Sequence, residues 1–323
     1  MTVPTAGEAV VETEGLGRDF LVRDGMRRRR ITAVRELTMR ISAGESVGYI
    51  GANGAGKSTT IKMLTGILVP SRGTARTCGL QPLTDRRRLA RQVGVVFGQR
   101  SQLWWDLPLR ESFGILAAVH ALPGSVERAR TSELAERLEL GGFLGVPVRQ
   151  LSLGQRIRAE VAAALLHSPR LVILDEPTIG LDVLAKQRLR EFLRAERADH
   201  GTTLLLTTHD MGDVERLCDR VLMVDRGSLV YDGSLRGLSR TVGAERVLVV
   251  DLAWPVPDLA DIPGTRHVGS EAEGMRQRLA FDAERVTAAS VLAAVSARVD
   301  VRDLAVEEPE IEDVVRRVYA SRR

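Results

Sequence analysis

Short apolar runs that stop abruptly at glycine, acid or histidine organise the first two-thirds of the chain. Ser46-Val47-Gly48-Tyr49-Ile50 reads as a short buried strand, and the stretch from Thr60 to Leu68 reads as a helix. Leu171-Val172-Ile173-Leu174 is a run of four apolar residues ending in Asp175-Glu176-Pro177. That describes a fully buried parallel strand with carboxylates on its C-terminal edge. A similar run, Thr203 to Leu206, stops just before His209, and the alanine-rich stretch from Ile157 to Leu166 between them predicts a helix. Beyond Gly237 the pattern changes. Arg246 to Ala253 and Met275 to Asp282 are strand-like, with Leu279 and Phe281 on one face. Thr287 is placed to cap a helix carrying Val291, Leu292, Val295 and Val299, followed by a strand over Val301 to Val306 and a helix over Ile311 to Tyr319. Pro255, Pro257, Pro263 and Gly264 mark a loop after the first of these strands. The expectation is an α/β domain over residues 1–237 with a parallel-sheet core, and a small α+β domain over 238–323. No window approaches 18 consecutive apolar residues, so no membrane span is expected.

Chemistry enters between the first strand and the first helix, at Gly51-Ala52-Asn53-Gly54-Ala55-Gly56-Lys57-Ser58-Thr59. Strand, G-x-x-x-x-G-K-S and helix together are the context a P-loop requires. The glycines let successive backbone N–H groups turn inward around phosphate oxygens, at the positive end of the following helix. Lys57 is placed to reach the β- and γ-phosphates, and the Ser58 hydroxyl to ligate Mg²⁺. A merely flexible glycine turn would explain neither flank. The chain has three lysines among 46 basic residues, and one of them stands inside this loop, which argues against chance. In a chain with a P-loop, Asp175 is expected to hold the Mg²⁺ shell. Glu176 is then a general base, or the group that polarises and orients the attacking water. These residues predict a nucleoside triphosphate as ligand.

Further positions carry a more specific resemblance. Gln99 in Val95-Val96-Phe97-Gly98-Gln99 resembles the Q-loop glutamine of ATP-binding-cassette (ABC) ATPases, and Leu151-Ser152-Leu153-Gly154-Gln155 resembles their signature. Gly180-Leu181-Asp182 resembles the D-loop, and His209 in Thr207-Thr208-His209-Asp210 the switch histidine. All stand in the family's order over roughly residues 12 to 236. The resemblance implies a P-loop NTPase of the ABC class, with a helical subdomain over about 100–155, that binds and hydrolyses ATP with Mg²⁺. It implies roles for Gln99 at the cation or attacking water and for His209 at the γ-phosphate. Ser152, Gly154 and Gln155 would close over the ATP held by a second copy's P-loop, so the chain is expected to act as a homodimer. The signature departs from the widespread form, which has glycine where Leu153 stands. Aligning Gly15-Leu16-Gly17-Arg18-Asp19-Phe20 puts Phe20 at the family's adenine-stacking position, with core packing as the alternative.

Composition adds limits. A hydrophobic share of 44% and a charged share of 27% fit a chain with a true core. A formal charge of +4 does not by itself indicate nucleic acid, and none is expected as a partner. Arg27 to Arg30 and Arg86 to Arg88 are clusters that suit a solvated face or anionic lipid headgroups. Cys78 and Cys218 stand far apart, which fits a reducing compartment, and the first fifteen residues lack the form of a signal peptide. Trp104 and Trp105, just past Gln99, suit either an interface with a membrane partner or packing within the helical subdomain. The stretch FGQRSQLWWDLP and the close of the C-terminal domain resemble the branch that partners ABC-2-type permeases, mostly exporters. The C-terminal domain is expected to be regulatory, dimer-supporting or structural. The resemblance places the chain at the cytoplasmic face of the cell membrane, bound to a separate multi-span permease. ABC ATPases that act on nucleic acid are the rival class, but those usually carry long coiled coils or two cassettes.

Overall fold

Two long strands, β1 (Ala9–Asp24) and β2 (Arg27–Ser42), form an antiparallel ribbon registered from Ala9↔Ser42 to Arg23↔Arg28. The computed structural model describes residues 7–24, 27–98, 101–241, 245–309 and 311–320. After the ribbon come β3 (Ser46–Gly51), α1 (Lys57–Leu64), β4 (Arg72–Thr77), α2 (Arg86–Ala90) and β5 (Val93–Val96). Three helices follow, α3 (Leu109–Val119), α4 (Gly124–Arg137) and α5 (Leu153–Leu165). The chain then runs through β6 (Leu171–Asp175), α6 (Val183–His200), β7 (Thr203–Thr207), α7 (Met211–Leu217), β8 (Arg220–Asp225) and β9 (Ser228–Gly233).

The nine strands make one sheet in the order β4-β1-β2-β9-β8-β3-β7-β6-β5. Its β8-β3-β7-β6-β5 half is parallel, as the unbroken apolar runs require of strands covered on both faces. The other half adds antiparallel pairs, β1 with β2 and β4 and β8 with β9. The apolar runs do not announce this half, because buried Val11 and Thr13 alternate with the more exposed Glu12 and Glu14. Val47 and Tyr49 of β3, Ile61 and Leu64 of α1, Ile173 of β6, Leu205 of β7 and Leu222 of β8 share one buried cluster with Leu16, Leu37 and Ile41 of the ribbon. Full burial of each aliphatic side chain contributes about 1.5–3 kcal/mol. Helix α1 starts and stops earlier than the sequence suggests. Gly56 serves as its N-cap, and Thr65 closes it before the turn at Gly66.

The chain divides into two compact units, Met1–Gly233 and Ser234–Arg323. In the second, α8 (Leu235–Thr241) precedes β10 (Arg246–Leu252), β11 (Thr265–Glu271), β12 (Arg276–Phe281), α9 (Ala288–Ser296), β13 (Val301–Glu307) and α10 (Ile311–Ala320). Its sheet runs β11-β12-β10-β13, entirely antiparallel. Leu248, Val250, Leu279, Phe281, Val291 and Val295 form a separate core. Thr287 caps α9 through Ser290 in a reciprocal capping box. Strand β11 is an element the sequence pattern misses. Its Arg266, Ser270 and Glu271 are exposed, and it forms one edge of the sheet.

Candidate functional site: one rim of the parallel sheet

Strands β3, β7 and β6 lie side by side, so their C-terminal ends bring three distant segments to one rim. From β3 the chain enters the loop at Gly51. A Cβ at Gly56 would stand 2.5 Å from the Ala33 carbonyl oxygen, at a φ of 102° that L side chains rarely adopt. Gly54 also takes a positive φ, 80°. The Ala55 carbonyl accepts from Gly227 N at 3.0 Å, so the β8–β9 turn braces the loop from behind. Tyr49 of β3 donates its buried hydroxyl to Thr60 of α1 at 3.1 Å, and Thr60 donates to the Gly56 carbonyl at 3.1 Å. Asn53, Gly54 and Ser58 are exposed, and Thr59 is partly so. The loop thus has a fixed back and an open front. Lys57 lies along it, with Nζ donating to the Gly51 carbonyl at 2.5 Å and to that of Ala52 at 3.3 Å. Burial lowers the Lys57 pKa, against the opposing pull of Glu176 and Asp175.

Those carboxylates stand at the end of β6. Asp175 pairs in register with Thr207 of β7, and the Thr207 hydroxyl donates to its Oδ1. Glu176 follows with φ 55°, an uncommon backbone state for a non-glycine residue and a form of strain that clusters at functional sites. Its N–H donates to the Thr207 carbonyl at 2.9 Å. Burial raises the Glu176 pKa, offset in part by His209, whose backbone N–H donates to Oε2 at 3.3 Å. The His209 Nε2 lies 3.5 Å from Oε1. Ser58 and Asp175 offer the hard oxygen donors that Mg²⁺ prefers. Gln99 lies outside the described residues.

The signature segment is a helix start. Helix α5 begins at Leu153, four residues before the expected Ile157, so Gly154 sits inside its first turn. Ser152 is its N-cap: the hydroxyl accepts from Gln155 N at 3.2 Å, and Gln155 Oε1 accepts from Ser152 N at 2.9 Å. One of the helix's first N–H donors is therefore already engaged. Asp182 caps α6 in the same way, accepting from Ala185 N at 2.8 Å. Leu153, where glycine is widespread, leans over Gly180: a Cβ there would stand 2.3 Å from its Cδ2. Phe20 is half-buried, lies outside the apolar core, and carries the Arg18 guanidinium 4.8 Å above its ring. Its ribbon partner strand passes behind the loop at Ala33. Trp104 and Trp105 are 39% and 50% exposed, so neither is spent on core packing. Arg28 and Arg29 are exposed, and Arg30 pairs with Asp19.

Three contributors escaped the sequence reading. Thr207 holds Asp175, Lys186 pairs with Asp210, and Glu160 anchors the segment past Gln99. Glu160 accepts from the Ser101 hydroxyl and from Gln102 N at 3.3 Å. Burial raises its pKa. A cleft of about 440 Å³ joins Glu160, Trp105 and Leu153 to Asp175 and Glu176. Only the threonines following an apolar run gave any signal; the other two are partnerships between distant helices and loops.

A glycine-walled cradle at a helix start, with acids ending a parallel strand two places along the same sheet, defines the class of P-loop nucleoside triphosphatases. Comparison narrows the class. Residues 34–179 match the family described as ABC transporter. "ABC transporter ATP-binding protein NatA" of Bacillus subtilis (strain 168) is 31% identical over 215 residues, 67% of this chain and 87% of the relative. "Nod factor export ATP-binding protein I" of Burkholderia pseudomallei (strain K96243) is 39% identical over 223 residues, 68% of this chain and 71% of the relative. A solved "ATP binding subunit of ABC transporter" superposes with a TM-score of 0.65 at 28% identity, covering 73% of this chain and 94% of its own. The ATP-binding cassette MJ0796, in a dimeric post-hydrolysis state bound to ADP and Pi, gives 0.62 at 25% identity, covering 70% and 99%. The chain belongs to the ATP-binding subunits of ABC transporters, which bind and hydrolyse ATP. No helix among the described residues is long and apolar enough to cross a membrane.

Proposed function

We propose that two copies of this chain clasp two ATP molecules and drive export through a separate multi-span permease of the ABC-2 type, at the cytoplasmic face of the cell membrane. The observation that carries the reading is the shared rim, where Lys57, Asp175, Glu176 and His209 meet at the ends of β3, β6 and β7. In it, Gly51, Asn53, Gly54, Gly56 and Thr59 cradle the phosphates, Lys57 pairs with the β- and γ-oxygens, and Phe20 stacks on adenine. Ser58, Asp175 and Gln99 would hold Mg²⁺, which would neutralise charge on the transferred phosphate. Glu176 accepts a proton from the attacking water or orients it, and His209 contacts the γ-phosphate.

The chain carries one P-loop and one signature, so Ser152, Gly154, Gln155 and Asp182 complete the site of the second copy, giving two equivalent sites by C2 pairing. The dimeric ADP-bound MJ0796 cassette supports that pairing. Relatives named for Nod factor export support the direction of transport. Exposed Trp104 and Trp105 suit a contact with the permease. The longest described helix has 18 residues, which does not favour the coiled-coil relatives that act on nucleic acid.

The test is turnover per chain against protein concentration, with sizing of Glu176→Gln in Mg-ATP. Turnover should rise with concentration, and the variant should bind ATP, lose at least about 100-fold in rate and accumulate as a dimer. Efficient cleavage by a strictly monomeric chain would refute the reading.

A further inference from the structure

Lys186 belongs to none of the motifs, yet it lies between two of them. It sits in the first turn of α6, four residues past the Asp182 cap, with its backbone N–H donating to the Asp182 carbonyl at 2.9 Å. Its Nζ donates to Asp210 Oδ2 at 2.5 Å. Asp210 directly follows His209. That bond is the largest influence holding the Asp210 carboxyl below its ordinary range. Arg190, one turn further along α6, stands 3.8 Å from the other Asp210 oxygen and is mainly engaged with buried Asp213, to which its Nε donates at 2.6 Å. The same turn is knitted locally: Asp210 N donates to the Thr208 hydroxyl oxygen, and Asp213 N donates to the Asp210 carbonyl, each at 3.0 Å. Asp213 also accepts from the Thr178 hydroxyl, two residues beyond Glu176. A chain of contacts thus leads from Asp182 through Lys186 and Asp210 to His209, whose N–H meets Glu176.

We infer that Lys186 is a positioning residue for ATP hydrolysis: by gripping Asp210 it fixes the turn from which His209 addresses Glu176, and ties that turn to the helix capped by Asp182. The inference rests on the proposed dimer, in which Asp182 faces the second copy. Seating of that copy is then relayed to the base through one ion pair. Lys186 acts through Asp210. Its loss leaves the carboxylates and the P-loop in place but lets the histidine turn drift, and misplacement of about an ångström in such a site costs turnover rather than binding.

The experiment uses the full chain and measures steady-state ATP hydrolysis. Lys186→Met keeps the apolar stem and removes the charge. It should lower kcat about 10-fold while leaving KM for ATP within about twofold. Lys186→Arg, which keeps a cation beside Asp210, should recover most of the turnover. Lys186→Met combined with Asp210→Asn should cost no more than the worse single change, as for two residues acting as one unit. Parental kcat in Lys186→Met overturns the inference. So does a lowered thermal midpoint with normal kcat in the folded fraction, additive losses in the double variant, or equal damage from arginine. A parental chain inert toward ATP at every concentration would instead bring down the proposed function on which this rests.

Discussion

Glu176 concentrates the tension of the site in one residue. Its backbone is left-handed, its carboxyl is half-buried beside Asp175, and burial raises its pKa. Because the folded-state pKa lies above the unfolded one, the folded chain binds more protons through that window, so this group lowers stability as pH rises past about 4.3. Glu176→Gln should therefore raise the thermal midpoint at neutral pH, and calorimetry should find the gain vanishing in acid where the parental carboxyl is protonated. Turnover should show the matching limb, falling as pH drops through a value above the ordinary carboxylate range. The position of this residue, next to a second acid at the end of an apolar run, was legible in the sequence. Its bond to the backbone of His209 was not, because that contact joins residues 33 apart in sequence.

Elements were readable where their burial is uniform. β3, β6 and β7 are mostly apolar because these strands are covered on both faces. The antiparallel half and β11 were not, since half-exposed strands dilute the signal with arginine, glutamate and serine. A helix start was readable only where its cap was recognised. Thr287 announces α9, and its capping box with Ser290 confirms why. Thr287→Ala should cost about 1 kcal/mol, seen as a drop of about 5 °C in the transition of the 234–323 unit. An unchanged transition would mean that the cap contributes nothing there. The start of α5 was placed too late, because Leu153, Gly154, Gln155 and Arg156 look like loop until Ser152 is recognised as their cap.

At the scale of the whole molecule, each unit has its own apolar core, one built on the nine-stranded sheet and one on the four-stranded sheet. A chain ending at Gly233 should accordingly fold and bind ATP with parental affinity, measured by equilibrium binding of a fluorescent nucleotide. Failure to bind would assign the second unit a part in building the site. Within the first unit, the order of strands has a further effect. The phosphate loop leaves β3 and the acids leave β6, but neither strand touches the other; β7 lies between and is hydrogen-bonded to both. Two inter-strand steps amount to about 10 Å, so the strand that ends just before the histidine also serves as the spacer gauge for the gap a triphosphate must span. A bulge or a slipped register in β7 would mis-set that gap even with every phosphate-facing side chain left unchanged.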